Sequence, residues 1–369
     1  MTSCSTTTTG GPSDLMPAVS DAVWSEQGTT PDAIEAALRE LLAERHTENG
    51  GFLPARVLNM VAFVESRWSG EIANRLRGVG RYHASRTVVL SYDPKRRSLD
   101  ARASIAAEDD PKPGELAVLH ETVIVEIGDR HLDDLLSIAD PLVVSDLPTL
   151  LWSPHGHPEA VGALLALAQS MLLDSVDEPD WHEAIGRANT LSERVYVVDL
   201  AWLRSTPWRE RIAATFDPLQ LRAGLEEIVA ITVSHHPDST VAAMLLIGWL
   251  ASRLGWHLEA LIHHGDVLSG KAEAKRHDIT LRMEAAPEQQ VRGLAGLTIE
   301  TASGIRLRLD RGKGGLRAYH RDTKGREHEW TILGASRGEA GILGEGIRQA
   351  LLRDPTYRPA LQAAQAMLP

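Results

Sequence analysis

The sequence predicts an α/β fold followed by an α+β fold: a mixed sheet with flanking helices, then a βαβ unit with an antiparallel sheet and two C-terminal helices. Three observations carry this. Strand-like runs at 56–65 and 87–92 enclose a helix at 71–80, the βαβ pattern of an α/β unit. A second such pattern leads from a strand at 225–234 through an apolar helix at 239–254 to a strand at 256–263. Beyond it, Ile305-Arg-Leu-Arg-Leu309 alternates apolar and charged residues, as a half-buried antiparallel strand does. A chain of 369 residues leads us to expect two domains, at 31–205 and 206–369, behind a tail at 1–30.

Each element has a local reason. The tail, opening Thr2-Ser-Cys-Ser-Thr-Thr-Thr-Thr-Gly-Gly11, is polar and of low complexity, so disorder is expected there. Thr30 caps and Pro31 opens a helix over 31–45 with Ile34, Leu38, Leu41 and Leu42 on one face. Asn49-Gly-Gly51 breaks the chain before the first βαβ unit. Strands at 99–107 and 117–127 flank the turn-rich Asp109-Asp-Pro-Lys-Pro-Gly114 and form a hairpin. A helix at 131–139, opened by Asp129, follows. Strands at 149–152, 170–174 and 195–200 then alternate with helices at 160–168 and 181–188. In the second half, Asp238 or Ser239 caps the apolar helix. Strands at 278–284, 296–302, 305–310, 316–321 and 328–333 come next, with Arg311-Gly-Lys-Gly-Gly315 as a hairpin turn. Helices at 338–353 and 356–367 close the chain around Asp354-Pro355.

Composition excludes several classes. A net charge of −12 argues against nucleic acid as a partner, because phosphate binding needs a basic surface. The single cysteine, Cys4, excludes an internal disulfide and a cysteine-rich metal site, and fits a reducing cytoplasm. The longest apolar run, 241–251, is far short of the roughly 20 residues that span a bilayer, and no signal-peptide pattern opens the chain. A cytoplasmic protein with no membrane partner is expected.

The densest cluster of binding-type residues is the turn Asp199-Leu-Ala-Trp-Leu-Arg-Ser-Thr-Pro-Trp-Arg209. It follows the strand Val195-Tyr-Val-Val-Asp-Leu200, and Pro207 opens the next helix behind Ser205 or Thr206. Trp202, Arg204, Trp208 and Arg209 are the types that dominate binding hot spots, and neither type is a usual nucleophile or base. Two readings stay open: a protein-binding surface, or tryptophans that cement two domains.

Other candidates are weaker. Lys313 lacks the following Ser or Thr of a phosphate loop, and Gly338, Gly341, Gly344 and Gly346 miss the dinucleotide spacing. His235-His236 and His263-His264 are expected at adjacent ends of parallel strands. Only one histidine of each pair can share a face there, so even with Asp238 or Asp266 the ligand count for zinc is poor. His155-Gly-His157 has the same weakness, so no metal site is expected. Gly80-Arg-Tyr-His-Ala-Ser-Arg86 offers Arg81, His83 and Arg86 either to an anion or to the preceding helix C-terminus.

The 199–209 stretch resembles the OpcA family, the glucose-6-phosphate dehydrogenase assembly proteins of actinobacteria and cyanobacteria. Three further stretches are similar to the family in the same order: Arg81-Tyr-His-Ala-Ser-Arg-Thr-Val-Val-Leu90, Asp140-Pro-Leu-Val-Val-Ser-Asp-Leu-Pro-Thr-Leu-Leu-Trp152 and Leu246-Ile-Gly-Trp-Leu-Ala-Ser-Arg-Leu-Gly255. Ala84 stands where the family pattern has proline. The resemblance implies a protein without catalysis or cofactor of its own, one that binds the dehydrogenase of the pentose phosphate pathway and promotes its assembly or active state. Trp202, Arg204, Trp208 and Arg209 are then the first interface candidates, with Trp152, Arg81, His83 and Arg86 second. Some cyanobacterial members are linked to thiol control, which Cys4 alone cannot supply as an internal dithiol. The alternative is a sugar-phosphate sensor or enzyme using Arg81, His83 and Arg86.

Overall fold

Strand β3 (Leu58–Glu65) is buried from Leu58 to Val64, so it needs a covering layer on both faces. The polar residue inside that buried run, Asn59, is satisfied: the amide donates to Val144 O at 2.9 Å and Oδ1 accepts from Val144 N at 2.9 Å. The structure is a computed structural model and describes residues 22–48, 52–53, 56–80, 84–107, 117–333 and 338–369.

The first sheet also contains β1 (Ala22–Glu26), β2 (Phe52–Leu53), β4 (Ser85–Tyr92), β5 (Asp100–Ala107), β6 (Ala117–Ile127), β7 (Thr149–Trp152), β8 (Ser170–Leu173) and β9 (Tyr196–Asp199). Its order is β1-β5-β6-β4-β3-β7-β8-β9, with β2 beside β6. Strands β6, β4, β3, β7, β8 and β9 run parallel, and β5 runs against β6. The helices of this half are α1 (Pro31–Glu48), α2 (Ser69–Gly80), α3 (Leu135–Ala139), α4 (Pro158–Leu164), α5 (Trp181–Ser192) and α6 (Leu200–Arg204). Thr30 Oγ1 accepts from Ala33 N at 3.3 Å and starts α1, whose Ile34 and Leu38 are fully buried.

The second half opens with α7 (Thr206–Phe216) and α8 (Leu219–Arg222). Its sheet contains β10 (Ile228–His235), β11 (His257–Leu258), β12 (Ile262–His264), β13 (Val267–Glu273), β14 (Asp278–Ala285), β15 (Leu294–Thr301), β16 (Arg306–Gly312), β17 (Gly315–Arg321) and β18 (Glu327–Leu333). The order is β11-β13-β14-β10-β15-β16-β17-β18, with β12 also on β13. Helix α9 (Thr240–Leu254) is apolar and buried along most of its length. Helix α11 (Tyr357–Gln365) packs on it, and both lie between α5 and the second sheet. Gly248 permits that approach: a Cβ there would lie 2.3 Å from Ala360 O. Helix α10 (Gly338–Leu352) returns to the first sheet, packing on β8, β9, α2 and α6. Buried apolar side chains from both sheets form one continuous cluster.

Three expectations need correction. Residues 22–26, expected in a disordered tail, are a strand, because Val23, Trp24 and Ser25 pair with the otherwise open edge of β5. The strand expected at 256–263 is split into β11 and β12, both antiparallel to β13. Leu261 between them turns inward, and its N–H donates to Met367 O at 3.0 Å. The parallel partner of β10 is therefore β14. Third, 200–204 continues as a short helix, because Asp199 accepts from Ala201 N at 2.9 Å and caps it. The turn expected at 109–114 lies outside the described residues, but its strands pair antiparallel as a hairpin requires.

Candidate functional site

Strand β9 ends at Asp199, which is 1% exposed. Its carboxylate accepts from Ser175 N at 3.1 Å, Ala201 N at 2.9 Å and Tyr357 Oη at 3.1 Å, and Ser175 Oγ donates to it at 2.5 Å. Burial, and secondly the neighbouring Asp174, outweigh those bonds and push the acid up to about 6. Burial pushes the Tyr357 phenol well up, with Asp199 adding to it. One turn on, Trp202 Nε1 donates to Asp354 Oδ2 at 2.8 Å, and the Arg209 guanidinium lies 3.4 Å over the Trp202 ring. Burial lowers Arg209 to about 10, partly offset by Asp354. This turn ties β9 to the α10–α11 junction.

Beside it lies a cleft of about 880 Å³ at the C-terminal ends of β3, β7 and β8, closed on the far side by Gln290 to Arg292 and Glu339. The position has a topological meaning. Numbered along the chain, the six parallel strands stand in the order 3-2-1-4-5-6, the doubly wound order whose crevice between strands 1 and 4 binds dinucleotides. Here those strands are β3 and β7.

The residues at that crevice are unusual for the task. The strand runs into Glu65-Ser-Arg-Trp-Ser-Gly70, so a carboxylate and a guanidinium stand where a dinucleotide fold places glycines. Arg67 Nε holds Glu65 Oε2 at 2.6 Å, and Trp68 stacks on His155 with centroids 5.5 Å apart. His157 caps α4 at φ 61°, a left-handed conformation, with its Nε2 buried, unbonded and 4.0 Å from Glu65 Oε1. Burial pushes His155 down. The rest of the cleft is internally neutralised. Arg204 holds Asp174 at 2.7 Å and Glu339 at 2.7 Å, Arg292 pairs with Asp177, and Arg187 lies 3.6 Å from Glu178. Burial, then Asp174, raises Asp177; burial would also raise Glu339, but Arg204 outweighs it and holds that acid low. The two serines of the cleft are committed: Ser153 Oγ donates to Gly156 O and Ser175 Oγ to Asp199.

Two family models match the chain: the glucose-6-phosphate dehydrogenase subunit N-terminal domain of OpcA over residues 77–190, and the corresponding C-terminal domain over 195–361. This chain belongs to the OpcA family. Proteins with the provisional name OxPP cycle protein OpcA are similar to it. That of Nostoc punctiforme is 29% identical over 170 residues, 44% of this chain and 35% of the relative. That of Synechococcus elongatus is 27% identical over 141 residues, 37% and 32%. The matched part thus spans about a third of those relatives. Among solved structures, the WlbA dehydrogenase of Thermus thermophilus with NAD and alpha-ketoglutarate is 16% identical, covering 85% of this chain and 96% of its own, at a TM-score of 0.42. The myo-inositol dehydrogenase of Lactobacillus casei with NAD(H) and myo-inositol is 13% identical, covering 84% and 93%, at 0.46.

The OpcA motifs are mostly interior. Trp202 and Trp208 are 2% and 1% exposed, so they form packing and not an exposed surface; Trp152 is also buried, in the cleft wall. Arg209 is spent on Trp202 and Ser205. Arg204 faces the cleft, but its guanidinium is already held between two acids. Arg86 is in the core, donating to Glu121 Oε2 at 2.6 Å and Glu35 Oε2 at 2.8 Å. Arg81 and His83 lie outside the described residues. Sequence reasoning missed Glu65, Arg67 and Trp68; the signal was the strand-to-helix turn at 65–70, read only for its secondary structure.

The paired histidines do not meet. His235 is on β10 and His263 on β12, three strands apart, or about 14 Å at the usual spacing. His235 is buried, with Nδ1 donating to His236 O at 2.8 Å, and burial lowers its pKa. Among the described residues no three His, Cys, Asp or Glu side chains come together as metal ligands. Among the same residues no helix is long and apolar enough to cross a membrane.

Proposed function

We propose that this chain is a non-catalytic assembly factor and allosteric activator of glucose-6-phosphate dehydrogenase in the cytoplasm, acting by direct binding. Membership of the OpcA family supports the partner. The observation that carries the non-catalytic part is Glu65 at the end of β3. A pyrophosphate at the switch point would meet a carboxylate, with Trp68 and His155 stacked beside it. The cleft's other charges cancel one another and leave no strong field for a phosphorylated ligand. The sugar-phosphate alternative loses Arg86 to the core. Activation without chemistry requires tighter binding to the active state of the enzyme than to the inactive one. Where substrate affinity is what changes, substrate tightens the complex in return.

The test mixes the purified chain with the dehydrogenase of the same organism and follows NADPH formation and complex mass. Co-elution with raised turnover or substrate affinity is expected; unchanged kinetics with no co-elution refutes the proposal. Calorimetry of the chain alone with glucose 6-phosphate, 6-phosphogluconate and NADP should show no heat.

A further inference from the structure

A second groove, of about 360 Å³, lies between α7, α10 and the β17–β18 ribbon. Its charge is incompletely matched. Arg311 Nε donates to Leu294 O at 2.9 Å, and no described carboxylate is within ion-pair distance of its guanidinium. On the opposite wall, Arg211 Nε is buried with no hydrogen-bond partner. Of the acids in the groove, Glu339 is held by Arg204 and Glu345 by Arg348, leaving Glu210. The walls are apolar through Leu316, Ile332 and Ile342, and the rim carries two large aliphatic side chains in water: Val291 is 49% exposed and Leu333 79%. Arginine in a desolvated pocket is among the residue types enriched at interface hot spots.

We infer that this groove, one wall of which is the turn itself through Arg204, Pro207 and Trp208, receives the dehydrogenase, through an acidic side chain flanked by aliphatic residues that meets Arg311 and Arg211 and covers Val291 and Leu333. The inference rests on the assembly reading above. A ligand confined to the groove would leave the rim apolar groups in water, whereas a protein surface covers them. The carboxylate supplies the charge that Arg311 lacks.

The experiment compares wild type, Leu333→Asp and Arg311→Gln as full chains in binding to the dehydrogenase. Leu333 is mostly solvated, so Leu333→Asp leaves the melting temperature unchanged. Each variant should weaken binding at least about tenfold, and Arg311→Gln should also flatten its salt dependence. Wild-type binding with both variants binding equally well overturns the groove and leaves the assembly reading standing. No wild-type binding overturns both. A calorimetric heat with inorganic phosphate that Arg311→Gln abolishes would give the groove to a small anion and also overturn the inference.

Discussion

Asp199 makes the fold sensitive to pH in a direction opposite to most carboxylates. Moving a carboxyl from 3.8 to about 6 on folding corresponds to about 3 kcal/mol. Because the folded value is the higher one, the native state holds the proton more tightly. The contribution is fully present below 3.8 and is lost as pH rises through about 6. Asp199→Asn removes the titration and keeps an oxygen for Ser175 N and Ala201 N, while its amide can donate to Ser175 Oγ. Urea unfolding of both proteins from pH 4 to 7.5 isolates this group, because every other titration cancels in the difference. The stability of wild type relative to the variant should fall by about 2.5 kcal/mol across that range, the rest of the contribution lying below pH 4. A difference that grows in the opposite direction would show that the four hydrogen bonds, and not burial beside Asp174, control the ionisation. Parallel curves would place the titration outside this window.

Three further outcomes follow from packing and from a buried ion pair. Gly248→Ala should cost about 1–3 kcal/mol, since its Cβ would meet backbone atoms of α11 that cannot yield, whereas Gly162→Ala in α4 points into open space and should gain about 0.5–1 kcal/mol; urea midpoints check both. Arg86→Met should cost about 3 kcal/mol by stripping the buried Glu121 of one partner while Arg56 remains, and an unchanged midpoint would refute the core placement.

Local chemistry was legible and long-range pairing was not. The helix at 31–48 was announced by Thr30, Pro31 and one apolar face. The hairpin at Lys313-Gly314 was announced by its glycines, and Gly314 takes φ 78°. Strand β1 was hidden because none of its five residues is fully buried, so it owes its existence to β5. Arg86 looked like a surface cation because its acids are 51 and 35 residues away in sequence. The tryptophans of the 199–209 turn could be read as anchor or as cement. What decides is that Leu200, Ala201, Trp202 and Leu203 are buried all round a helix of five residues, and a composition-based reading does not see that. The dinucleotide order was also invisible, because strand neighbours are set by crossovers and the glycines that would have advertised it are replaced.

Helix α10 has a consequence for how the molecule is made. Its Gly346 fits so tightly that a Cβ would lie 2.9 Å from Leu172 and 3.1 Å from Leu200, residues of the first sheet and its following helix. That wall is translated only after all of the second sheet. On the ribosome the earlier half therefore waits, with a greasy flank open, until its own last panel emerges. A stop codon at the end of β18 would not release a tidy fragment. It would release two sheets, the first without α10 and the second without the α11 that packs on α9.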